Sequence, residues 1–70
     1  MITFKPLYEL MEKENITWYR LQRWGLDPTS VYRIKRGENI TLNTLNKLCY
    51  VLGVTPSELI EYTPDDFLEL

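Results

Sequence analysis

Helix start and stop signals follow one another at short intervals along this sequence, and they restrict its fold more than any other feature. Asp27-Pro28 is the clearest start. Asp caps a helix, and Pro suits the first helical position, where its missing N–H costs nothing and its fixed φ is already helical. The helix it opens runs to about Arg36 and stops at Gly37. Val31 and Ile34 form its inward pair. Thr29, Ser30, Arg33 and Arg36 are expected to point mostly outward, and Tyr32 falls between the two faces.

The same grammar delimits the other elements. Pro6 sits in the first turn of a helix from Lys5 to about Glu14, with Leu7, Leu10 and Met11 as its apolar stripe. Thr17 caps a short helix from Trp18 to about Arg23, with Leu21 as its core residue. Gly25 follows, able to take the left-handed backbone of a tight helix–helix turn. Thr41 caps a helix from Leu42 to Leu52 that Gly53 ends; its stripe is Leu42, Leu45, Leu48, Cys49 and Leu52. Thr55-Pro56-Ser57-Glu58 is a capping box opening a fifth short helix to about Glu61, with Leu59 and Ile60 inward. Thr63-Pro64-Asp65-Asp66 repeats the start signal, enough for one more turn. Ile2 to Phe4 is too short for a strand reading. The expectation is an all-α fold of five short helices.

Seventy residues hold one domain, taken as residues 1–70, with an acidic tail over residues 62–70. The one cysteine, Cys49, excludes an internal disulfide, and without histidine no common zinc ligand set is left. Asp65, Asp66 and Glu69 lack an EF-hand spacing. The usual general base and every Ser/His or Cys/His pair are missing too, so no catalytic residue, metal or cofactor is assigned and the chain is not expected to be an enzyme. No small-molecule ligand is evident. The longest apolar run, Leu48 to Val54, is far short of a bilayer span, and no signal peptide is recognisable, so a cytoplasmic protein without a membrane partner is expected.

A net charge of −2 conceals an uneven distribution. Residues 17–47 carry Arg20, Arg23, Arg33, Lys35, Arg36 and Lys47 against Asp27 and Glu38, a balance of +4. Residues 54–70 carry Glu58, Glu61, Asp65, Asp66 and Glu69 with no base, a balance of −5. Such asymmetry marks either a polyanion-binding face or an unevenly charged surface. Trp18 and Trp24 bracket the second helix; core packing is the ordinary role, and an exposed platform the alternative.

Two short helices joined by a Gly-containing turn, here about residues 17–36, make a helix-turn-helix arrangement. In such units the second helix enters the major groove. Here it offers hydroxyls early, then Arg33, then Lys35 and Arg36. Hydroxyls and Arg can read base edges, and Lys35 and Arg36 would meet phosphates or complement the helix dipole. Arg20 and Arg23 have no acid within one turn and suit phosphate contact.

The run from Ile16 to Tyr62, most specifically VYRIKRGENITLNTLNKLCYVLGVTPSELIEY, resembles the Cro/phage-repressor (XRE) helix-turn-helix family. That resemblance implies a lambda-repressor-like five-helix bundle that binds double-stranded DNA as a homodimer and regulates transcription. It implies base reading at Pro28, Thr29, Tyr32 and Arg33. It also implies phosphate contacts from Thr17 and Trp18 and from Asn39, Thr41 and Asn43. Ser30 joins the candidate base readers through its hydroxyl. The sequence departs from the family pattern in one spacing: Leu21 precedes Gly25 by four residues rather than the usual five. Either the second helix is cut short or Leu21 occupies the neighbouring core position. Tyr62, Phe67, Leu68 and Leu70 have little core left to fill and are candidate dimer contacts. The competing reading is a protein-interaction module on the same fold, antitoxin-like or a regulator-binding adaptor, with little specific DNA binding.

Overall fold

The structure, a computed structural model, describes residues 1–65. Four helices form the body: α1 (Lys5–Lys13), α2 (Trp18–Arg23), α3 (Pro28–Arg36) and α4 (Leu42–Leu52). A single 3-10 turn follows (Pro56–Glu58), and two short strands, β1 (Ile2–Thr3) and β2 (Glu61–Tyr62), bring the ends of the described chain together. They pair antiparallel, Ile2 opposite Tyr62 and Thr3 opposite Glu61. No helix among the described residues is long and apolar enough to cross a membrane.

The expected caps hold α2, α3 and α4. Thr17 Oγ1 accepts from the Arg20 N–H at 3.1 Å, Asp27 Oδ2 from the Ser30 N–H at 3.0 Å, and Thr41 Oγ1 from the Thr44 N–H at 3.1 Å. Each satisfies a helix N–H that has no partner within its own helix. Gly25, at φ +113°, turns the chain between α2 and α3. A Cβ there would meet no neighbouring atom, so the need for glycine is one of backbone conformation alone.

Leu7, Leu21, Ile34, Leu48 and Leu59 are fully buried, one from each of α1 to α4 and one just past the 3-10 turn. Phe4, Met11, Leu26 and Val31 complete the core. Leu21 is a core residue, and α2 is a short helix of six residues.

Four expectations are corrected. The fifth helix is a single 3-10 turn: Glu58 accepts the Thr55 N–H at 2.7 Å as a capping box requires, but Glu61 and Tyr62 are drawn into the strand pair. A strand exists where Ile2 to Phe4 looked too short. Leu42, assigned to the inward stripe of α4, is 81% exposed at that helix's first position, because Ile40 before it and Leu45 after it make the core contacts at this end of the helix. Trp24 is 42% exposed rather than packed in the core, because it is the C-cap of α2 and lies at the rim. Trp18 is half-buried against the core.

Candidate nucleic-acid interface

The candidate surface begins with how α3 is held. At its N-terminus the Ser30 hydroxyl donates to Asp27 Oδ1 at 2.7 Å and lies 3.4 Å from the Thr44 hydroxyl of α4. Near its C-terminus Tyr8 of α1 donates to the Ile34 carbonyl at 2.5 Å. Burial pushes the Tyr8 phenol up. Lys47 of α4 donates to the Gly25 carbonyl at 3.1 Å, tying the turn to the body. With Val31 and Ile34 in the core, α3 is fixed from behind at both ends.

This anchoring removes Ser30 from the outer face. Its residue is 7% exposed, and its hydroxyl is engaged by Asp27 and faces Thr44, so it is not available to a base edge. Helical periodicity placed it outward; a satisfied hydroxyl can be buried at little cost, and this one is. The outer face is instead Thr29, Tyr32, Arg33 and Arg36, all exposed, spaced i, i+3, i+4, i+7. Pro28 is exposed at the first turn, and Lys35 flanks the stripe.

The cations around this stripe share an arrangement. The Arg20 guanidinium lies 6.0 Å from the Trp24 ring centroid, and Arg23 lies 5.9 Å from Tyr19. Lys35 lies 6.0 Å from Trp18, and Arg36 5.3 Å from Tyr32. These pairs engage every base of α2 and α3 except Arg33, which has no charged or ring partner among the described residues. A signal for three of them was present in the sequence: Tyr19/Arg23 and Tyr32/Arg36 are each four apart on one helix, and Arg20 is four before Trp24, the C-cap of α2. The sequence reading missed Tyr19 and Glu38 as members of this surface. Thr17, Tyr19, Arg20, Arg23 and Trp24 line an open depression beside α2.

The remaining candidates for phosphate contact, Asn39, Thr41 and Asn43, are exposed around the start of α4. Tyr62 is 66% exposed on β2, away from the cations in sequence and paired with Ile2. Phe67, Leu68 and Leu70 lie outside the described residues.

Asp27 carries a pH dependence. The Ser30 hydroxyl and then the Ser30 N–H hold its carboxyl below the usual range, with the positive charge of Lys47 adding to the effect. A depressed folded value means stability that is present above the unfolded value, about pH 3.9, and lost as pH falls through the folded one. Thermal melts should therefore show the natural chain losing more stability than Asp27→Asn as pH is lowered from about 5 to about 2. Parallel curves would show that this carboxylate contributes nothing to acid lability.

Two helices meeting at a tight turn, the second locked from behind and presenting a polar and basic stripe, define a helix-turn-helix domain. A family model of Cro/C1-type HTH DNA-binding domains matches residues 6–65, and the chain belongs to that family. Among solved structures, a crystal form of the transcriptional regulator VanUg superimposes with a TM-score of 0.79 at 20% identity, over 91% of this chain and 87% of that one. That likeness is one of fold. No curated protein matches the chain at a significant level.

Proposed function

We propose that this protein is a sequence-specific DNA-binding transcriptional regulator, acting as a repressor. The observation that carries the reading is the exposed stripe of α3, Thr29, Tyr32, Arg33 and Arg36, on a helix held near its C-terminus by Tyr8 and at its N-terminal side by Thr44 and Lys47 of α4. A fixed helix with a bidentate donor such as Arg33 at its centre suits readout of guanine in the major groove. Thr29 and Tyr32 supply hydroxyls, and Pro28 offers an apolar contact to a thymine methyl. Arg20, Arg23 and Lys35, with Thr17, Trp18, Asn39, Thr41 and Asn43, supply the phosphate contacts that set register. Repression requires only occupancy of the site.

The protein acts as a homodimer, its two copies of α3 in successive major grooves about 34 Å apart. Exposed Tyr62 is the described residue that supports a contact between copies.

Selection of bound duplexes from a random library at physiological salt tests the reading. The expected result is a palindrome with half-sites one turn apart. A single unpaired motif would keep the regulator and remove the symmetric dimer. No enrichment, with only weak salt-sensitive binding, would overturn the DNA-reading function in favour of a protein-interaction module.

A further inference from the structure

Arg36 differs from the other ring-paired cations. Arg20, Arg23 and Lys35 have no acidic partner among the described residues, whereas Arg36 Nε also donates to Glu38 Oε2 at 2.7 Å. Glu38 therefore closes a chain of contacts, carboxylate to guanidinium to the Tyr32 ring, along the outer stripe of α3.

Nothing in the fold requires an acid at this position. Gly37, in the left-handed conformation, already terminates α3, and the Glu38 side chain is 48% exposed. A carboxylate past a helix C-terminus meets the negative end of the helix dipole, which disfavours it. Beside a DNA-reading helix it also repels phosphate. Residues 17–47 contain one other acid, Asp27, and that one is engaged in capping α3.

We propose that Glu38 is a positioning residue for readout. It holds the Arg36 guanidinium over Tyr32, keeps that cation from the nearest phosphate, and fixes the ring on the base-facing stripe. The arrangement sacrifices affinity common to all sequences and gains discrimination at the base pair that Tyr32 faces. This rests on α3 being the reading helix.

The test is E38Q, which keeps shape and removes charge at a half-exposed site, with its fold checked by circular dichroism. Anisotropy titrations would compare a duplex recovered by selection with a scrambled one, across a salt series. We expect affinity for the scrambled duplex to rise about three- to tenfold and the salt slope to steepen by about one, the mark of one added phosphate contact. Preference at the Tyr32 base pair should fall. In an Arg36→Met background E38Q should leave preference at the Tyr32 base pair unchanged and give only the smaller rise in affinity that loss of one phosphate-repelling charge produces. An equal rise in that background would mean that charge alone is responsible, and unchanged preference would mean that the ring is not positioned; either overturns the proposal. A natural chain that fails to distinguish the two duplexes would overturn the reading-helix assignment itself, and the proposal with it. A discriminating natural chain with an inert E38Q would sink the proposal alone.

Discussion

Leu21→Ala is expected to remove most or all of the protein's stability at 25 °C. Leu21 is fully buried where α2 meets the core, so truncation removes its transfer energy and leaves a cavity, costing about 2–5 kcal/mol. A domain of this length has only about 3–5 kcal/mol to lose. Far-UV circular dichroism with urea titration would show a lost or strongly weakened transition. Leu42→Ala is the matched control: Leu42 is 81% exposed, and its truncation should move stability by no more than about 0.5 kcal/mol. Equal losses from the two variants would mean that the core is not centred as described.

Arg33→Ala carries the second large effect, on DNA. Arg33 stands at the centre of the outer stripe with neither an acid nor a ring to hold it among the described residues. If it makes a bidentate contact to guanine, its loss costs about 1–3 kcal/mol per half-site against the preferred duplex and relaxes choice at one base pair. Binding to duplexes varied at that position would collapse towards a common affinity. Uniform weakening on every sequence, with a shallower salt slope, would make Arg33 a phosphate contact instead. Arg20→Ala should give that second pattern, because Arg20 lies on α2 beside the depression and not on the stripe.

The parts of the fold that could be read in advance are those governed by local chemistry. Thr17, Asp27 and Thr41 each cap the helix they were assigned to, and Gly37 and Gly53 end theirs in the left-handed conformation. These signals act within a few residues and need no tertiary partner. The misses share the opposite property. Pairing of Ile2 with Tyr62 joins residues at opposite ends of the sequence, and two-residue strands are too short to show alternation. Ser30 has the spacing of a surface hydroxyl; its burial depends on Asp27 Oδ1 and on Thr44 from another helix. Leu26 and Phe4 lie outside the helices, so no stripe announced them, yet both are core residues. In the site, the outward positions Thr29 and Arg33 follow from helical periodicity. The ring contacts of Lys35 and Trp18 could not, because they cross from one helix to another.

The cations held over rings bear on the entropy of association. A free Lys or Arg side chain carries about 2 kcal/mol of rotamer entropy, part of which is forfeited when it is immobilised on DNA. Where Trp24, Tyr19 and Trp18 restrict Arg20, Arg23 and Lys35 beforehand, part of that ordering is completed during folding. A chain with eight basic residues against ten acidic ones cannot rely on an abundance of positive charge. If Arg20, Arg23 and Lys35 meet phosphate as proposed, each loses less freedom at that contact.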